Sequence, residues 1–460
     1  FSSSSYNPRW PFFAFLAGFL TVAAIVAAAE KPASTSPNDQ TVSLRAAGSA
    51  GKSLQLVIPI YEGIILDNPA AALREIGLAR FQLAYPGPMS APFVAWRYGN
   101  EAWTILYADS LQAWPTTLDV DASAGELHLH LAARNPASVK ELKADGSWQE
   151  MARALRQQWD IKPRGPRLAD RYDRINFYVH QWISEKADPP LRVDWTAGQL
   201  AAEMHGTSPK TLIHIYGFDP GSVDLGGKVF WSDNSEKTAR SIIAANPKLA
   251  HLAWLNLRTY KTQIPRLGLT APADANFPGM AKRFDGHITT DDNYAYRAVD
   301  MCLASQAWQT SRLQQFDKLA DVGFKVIQLD EFPIPPVWHA AACTATGHLH
   351  KPADAGDEWA KTMAFIAKLS ARAADRGILL TCEEPSAAML PYVSGYIDRQ
   401  YNDATSVYAP WNRSKLIHTA PIFSTTFGDL VTPYTDADGV DPARKPPEGW
   451  LEAHKISVAK

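Results

Sequence analysis

Two short apolar runs in this chain each end in a carboxylate: Gly323-Phe-Lys-Val-Ile-Gln-Leu-Asp330 and Gly377-Ile-Leu-Leu-Thr-Cys-Glu383-Glu384. Runs of this kind read as buried parallel strands, and a helical pattern lies between them. Side chains at the carboxyl ends of such strands line the active face of a (β/α) barrel. Two carboxylates delivered there by different strands are what cleavage of a glycosidic bond needs. One attacks or steadies the sugar, and the other handles the proton. Alternation places Gln328 and Asp330 on one face of their strand, with Glu331 turned away or opening the loop. Asp330 is therefore the expected nucleophile. Only one of the adjacent Glu383 and Glu384 can point into a site. Glu383 is the expected acid/base, because Glu384 precedes Pro385 and starts the turn. The bland alternative is that these carboxylates cap strand ends and meet nearby Arg or Lys.

Further candidates follow the same strand-end logic. Tyr216 and Asp219 end the run Thr211-Leu-Ile-His-Ile-Tyr-Gly-Phe-Asp, and Trp254 and Asn256 alternate on His251-Leu-Ala-Trp-Leu-Asn-Leu. Arg399 lies in Ile397-Asp-Arg-Gln-Tyr401. Contact with substrate is expected of all five, with core packing the alternative for Trp254 and a salt bridge for Arg399. The loop after Asp330 carries Cys343-Thr-Ala-Thr-Gly-His348-Leu-His350. A His-x-His pair invites a metal reading, but it offers two ligands, and a third would have to come from Asp or Glu elsewhere. His348 and His350 are expected to bond substrate or Asp330, and no metal or other cofactor is expected. A metal-dependent hydrolase built on the two histidines is a third reading.

The surrounding chain has 460 residues, enough for two or three domains or for a large barrel with a companion. A net charge of −2 gives no electrostatic case for nucleic acid. Three cysteines, Cys302, Cys343 and Cys382, are too few for a disulfide scaffold, though an exported protein could join two of them. No Cys/His spacing resembles a structural zinc site. The acidic loop Thr435–Asp441 lacks the Glu of an EF-hand. Phosphate-binding Gly-rich loops and a Gly-x-Ser-x-Gly elbow are absent from the sequence, which argues against kinase, dehydrogenase and esterase chemistry.

Residues 1–29 read as a secretory signal peptide: Arg9 precedes the uncharged apolar stretch 11–29, and small residues Ala27-Ala28-Ala29 close it. A membrane anchor is the alternative. Residues 30–53 read as a polar linker. Residues 54–146 hold strand-like runs split by Pro and Gly turns and are expected to form an antiparallel β-sandwich region. Helical spacing from Trp148 to Trp182 marks a helical connector over 147–207. From 208 to 460, strand and helix alternate about six times, with Pro421–Phe427 taken as a further strand. The expected fold is thus α/β, a (β/α)8 TIM-like barrel, incomplete at its C-terminus if two strands are missing, with an N-terminal β-sandwich domain.

Several of these motifs together resemble a family: Asp224-Leu-Gly-Gly, Asp300-Met-Cys302 followed by Trp308-Gln, Gln328-Leu-Asp330, Cys343 with His348 and His350, Glu383-Glu384-Pro, and Leu56-Val-Ile-Pro-Ile-Tyr-Glu-Gly with Tyr85-Pro-Gly. The family is the bacterial glycoside-hydrolase-like proteins of domain of unknown function family 6259, and the likeness spans roughly residues 54 to 430. It implies a β-sandwich packed on a (β/α)8-type barrel and kinship with retaining endo-α-N-acetylgalactosaminidases. It also implies an Asp nucleophile at Asp330 and a Glu acid/base at Glu383 or Glu384, with an oligosaccharide or glycoconjugate as substrate. A non-catalytic carbohydrate-binding or cell-surface protein on the same scaffold is the reading of another class.

Overall fold

The computed structural model describes residues 38–45, 52–123, 126–134, 136–162, 165–179, 210–216, 233–245, 247–264, 269–270, 282–283, 287–288, 290–291, 297–333, 342–397 and 411–434. The expected signal peptide, Asp219, Arg399 and the acidic loop lie outside them. Among the described residues, no helix is long and apolar enough to cross a membrane.

The element that positions the candidate site is a seven-stranded sheet. Its strands are β1 (Arg174–Val179), β2 (Thr211–Tyr216), β3 (Ala250–Asn256), β4 (Val326–Asp330), β5 (Leu379–Cys382), β6 (Gly395–Ile397) and β7 (Thr432–Tyr434). All neighbours pair parallel and in chain order, without the reversal of a doubly wound sheet. Alternation sorts the side chains onto two faces. Leu212, Leu252, Val326, Leu379, Ile397 and Tyr434 pack together on one face. Ile213, Ala253, Leu255, Ile327, Leu329, Leu380 and Tyr396 belong to the main core on the other. Each buried Leu, Ile or Val contributes about 1.5–3 kcal/mol, so both faces hold the strand register firmly.

Helices α1 (Trp148–Arg156), α2 (Asp233–Ala245), α3 (Gln306–Val322), α4 (Ala355–Asp375) and α5 (Ile422–Phe427) complete the frame used below. Ser305 caps α3 by accepting from Trp308 N, and Gly323, at φ 116°, ends it in a conformation that suits glycine. Asp354 caps α4 by accepting from Asp357 N. On the outside, Arg372 of α4 and Arg376, which caps its C-terminus, bond Asp317 and Asp321 of α3. Such surface pairs are worth up to about 1 kcal/mol each, so the helices are held mainly by their buried faces.

Residues 54–146 form antiparallel strands, as expected, in two sheets that reach beyond that range. One runs Asp39–Arg45, Glu126–Ala132, Thr116–Asp121, Arg80–Tyr85. The other runs Ile417–Thr419, Ile64–Asp67, Leu54–Ile58, Phe93–Tyr98, Trp103–Ala108, Val139–Ala144. Two boundaries shift as a result. Asp39–Arg45, assigned to the linker, is a strand paired with Glu126–Ala132. Ile417–Thr419, assigned to the barrel, pairs with Ile64–Asp67.

Two elements depart from expectation. Arg174–Val179 is strand β1 and not part of a helical connector, because its backbone pairs with β2 along its whole length. Pro421–Phe427 is not a strand, since Ile422–Phe427 is α5. The cause is a tertiary cap. Glu62 is 1% exposed, and it accepts from Phe423 N through its carbonyl and from Ser424 N through its carboxylate. Those N–H groups open the first turn of α5. The same carboxylate accepts from Ser424 Oγ and from the Tyr396 hydroxyl of β6. Burial raises the Glu62 pKa, and these donors pull it back.

Replacing Glu62 by Ala strands a buried backbone N–H and a buried phenol. The expected loss is roughly 2–4 kcal/mol of stability, read from urea unfolding. A second expectation concerns acid. His251, at the head of β3, is 1% exposed, and burial lowers its pKa to about 4 from 6.5. A depressed histidine contributes stability that is complete above the unfolded value and is lost as pH falls toward the folded one. Stability should therefore decline by about 3 kcal/mol between pH 6.5 and about 4. His251→Asn should flatten that slope, and an unchanged urea midpoint profile would refute the assignment.

Candidate active site

The carboxyl ends of β3, β4 and β5 meet at one place. Trp254 pairs with Gln328 and Asn256 with Asp330 across β3 and β4. Gln328 pairs with Thr381 across β4 and β5. Gln328 and Thr381 are both buried and bond the same Tyr434 hydroxyl, at 2.9 and 2.8 Å. One layer higher on the same face stand Asn256, Asp330 and, just past β5, Glu383.

Asp330 is 9% exposed and Asn256 1%. The Asn256 amide is locked at both ends: Nδ2 donates to Asp330 Oδ2 at 3.0 Å, and Oδ1 accepts from Arg258 N at 3.0 Å. The amide thus holds the Asp330 carboxylate through a charge-assisted bond. Glu331 follows in the left-handed region at φ 55°. That turn costs a non-glycine residue about 1 kcal/mol, and it aims the Glu331 N–H at Glu383 Oε2, 2.5 Å away. Glu383 N in turn donates to Phe332 O at 3.1 Å. The Glu383 carboxyl is therefore fixed beside the backbone that carries Asp330.

Glu384 takes the other direction. Its carbonyl accepts from Cys382 Sγ at 3.2 Å, and Cys382 belongs to the helix-side core. Burial and then the Glu384 charge raise the Cys382 thiol pKa. Alternation carried one residue past β5 puts Glu383 on the Asp330 face, while the Glu384 carbonyl turns back to the helix-side thiol.

Behind Asn256 stands a group that the sequence reading missed. Arg312 of α3 is fully buried, donates to Asn256 O at 2.8 Å, and lies 3.7 Å from the Trp308 ring centre. Trp308 Nε1 donates to Leu257 O at 2.7 Å. A charge inside the apolar stripe Trp308, Phe316, Leu319 was the available signal, since an arginine on a buried helix face requires a backbone or carboxylate partner.

The remaining expected contacts divide. Trp254 is partly buried against the face shared with Gln328. Tyr216 is the last residue of β2, as expected. His348 and His350 turn to other partners than Asp330: His348 Nδ1 lies 3.7 Å from Cys343 Sγ, and His350 Nδ1 donates to Lys351 O at 2.8 Å. Cys302 joins them, so that one ligand atom from each of Cys302, Cys343, His348 and His350 lies within 4.8 Å of the others. The bond to Cys343 raises the Cys302 thiol pKa and lowers that of Cys343. The expectation that further ligands would come from Asp or Glu is replaced by two thiols, remote in sequence and adjacent in space.

No family model matches the sequence. No curated protein matches it either. Solved structures do. Ligand-free α-N-acetylgalactosaminidase NagBb from Bifidobacterium bifidum aligns with a TM-score of 0.58 at 16% identity, over 84% of this chain and 68% of that one. TtGalA, an α-galactosidase from Thermus thermophilus in complex with p-nitrophenyl α-D-galactopyranoside, aligns at 0.51 and 13% identity, over 81% and 75%. A GH36 α-galactosidase variant from Geobacillus stearothermophilus aligns at 0.51 and 9% identity, over 86% and 55%. The likeness is one of fold, a mixed α/β architecture shared with glycoside hydrolases.

The bond between Asn256 and Asp330 can be tested directly. Asn256→Asp replaces the donor with a second carboxylate. The expected cost at neutral pH is roughly 2–4 kcal/mol, shrinking in acid as the pair takes up a proton. An equal urea midpoint for variant and parent at neutral pH would remove Asn256 from this role.

Proposed function

We propose that this chain is an exported glycoside hydrolase acting with retention of configuration. One observation carries the reading: Asp330 and Glu383 share a face at the carboxyl ends of neighbouring parallel strands, and the Glu383 carboxyl is bonded to the residue that follows Asp330. Asp330, oriented by Asn256, attacks the anomeric carbon and forms a glycosyl-enzyme. Glu383 gives its proton to the leaving oxygen, then takes one from the water that releases the sugar. Retention implies carboxyl groups about 5–5.5 Å apart, against about 6.5–9.5 Å for inversion.

The fold likeness supports an α-linked galactose or N-acetylgalactosamine as the sugar, since those are what the aligned enzymes are named for. Trp254, partly buried beside Gln328, offers a ring for stacking on it. The apolar stretch 11–29 supports export or anchoring by the N-terminus. In the finer fold, the parallel sheet closes as a (β/α)8-type barrel and the antiparallel sheets pack as a sandwich.

The test is hydrolysis of aryl α- and β-glycosides, α-N-acetylgalactosaminide and α-galactoside included. Asp330→Asn should lose at least about a thousandfold in kcat. Glu383→Gln should lose roughly 100- to 10,000-fold on substrates with poor leaving groups and less on activated ones. Glu384→Gln should keep most activity. Retention should show in the anomer first released, followed by proton NMR. Binding of sugar without turnover by the parent protein would favour the carbohydrate-binding reading instead.

A further inference from the structure

We propose that Cys302, Cys343, His348 and His350 form a closed tetrahedral site for zinc that clamps the loop after Asp330 to the start of α3. Their four ligand atoms lie within 4.8 Å of one another. Zinc bonds of about 2.0–2.3 Å put ligand atoms about 3.3–3.8 Å apart, so the cluster needs to contract by only about 1 Å. Two thiolates offset the ion's charge, and binding releases the thiol protons.

The surroundings suit a metal better than four polar groups left to themselves. Both cysteines are fully buried and His350 is 4% exposed. The wall beside the thiols is small and apolar, Ala304 and Ala345. His350 Nδ1 faces a carbonyl, which can only accept, so that nitrogen carries the proton and Nε2 carries the lone pair. Nε2 is buried and is left to face the Cys343 thiol within the cluster. An imidazole held by a backbone carbonyl through one nitrogen, with the other turned toward the remaining ligands, is the arrangement of a metal-ligating histidine. Glu358 supplies an outer support by accepting from Cys343 N at 2.8 Å.

The same contacts define the role. Leu349 N donates to Ala304 O at 2.8 Å and Ala353 N to Cys343 O at 2.9 Å, so the loop already lies on the segment that holds Cys302. Cys302 stands between Asp300 and the α3 cap Ser305, and α3 carries Arg312. Four protein ligands leave no open position, which marks a structural and not a catalytic ion. The clamp would join the loop leaving Asp330 to the helix that supports Asn256. It stands independently of any assigned reaction.

The test starts with elemental analysis of the whole protein, purified without chelator and then supplied with zinc chloride. The expected content is about one zinc per chain, falling below about a tenth in Cys343→Ser and in His350→Ala. Cobalt chloride added to chelator-stripped protein should give the visible bands of a tetrahedral ion and a thiolate-to-cobalt charge-transfer band. A chelator should lower the melting temperature of the parent by several degrees, and zinc should restore it. If the variants fail to fold, the parent protein still decides, through its metal content and its cobalt spectrum. Absence of bound metal after zinc addition would overturn the proposal. So would a Cys302–Cys343 disulfide in a non-reducing peptide map, since oxidised sulfurs cannot serve as thiolate ligands.

Discussion

Much of this molecule depends on one buried carboxylate. Glu62 sits in the turn between two strands of an antiparallel sheet, yet its bonds run to the helix-side face of the parallel sheet and to the first turn of α5. Taking a carboxylate out of water is costly, and only several well-placed donors offset it. Here Ser424 and Tyr396 supply them. In return, Glu62 provides the cap that α5 lacks locally, where Pro421 precedes the helix and makes no side-chain cap bond. The next residue, Gly63, is at φ 132°, and a Cβ there would lie 2.8 Å from Ile422. Close approach and buried charge therefore fix the same corner.

The candidate site is built by a comparable relay. Arg312 holds the carbonyl of Asn256, the Asn256 amide holds Asp330, and the turn at Glu331 delivers an N–H to Glu383. None of these steps relies on a long exposed loop. Strand ends set the positions, and a buried cation on α3 keeps one of them from drifting. Such support is what lets a reactive group hold its geometry to a fraction of an ångström.

Sequence reasoning found what is periodic and local. The strands leading to Asn256, Asp330 and Glu383 were legible as apolar runs, and the helices between them as helical patterns. Alternation alone did not separate Glu383 from Glu384; the proline after Glu384 was the available signal. Elements decided by distant partners were not legible. Ile175 and Tyr178 are three apart and fit a helix or a strand equally, and only pairing with Thr211–Tyr216 decides. Ile422–Phe427 has the β-branched and aromatic content of a strand, and a cap supplied by Glu62 overrules it. Cys302 and Cys343 escaped any spacing rule because the fold, not the local chain, brings them to the histidines.

The pairing of Ile417–Thr419 with Ile64–Asp67 has a consequence for synthesis. During translation, the strand Ile64–Asp67 emerges early, while the segment that covers its edge comes some 350 residues later. Until then a short edge carrying Ile64, Ile65 and Leu66 offers unpaired backbone groups to any neighbouring chain. The nascent protein is thus open to strand exchange with its copies until Ile417–Thr419 emerges, and that strand acts as the cover that ends the exposure.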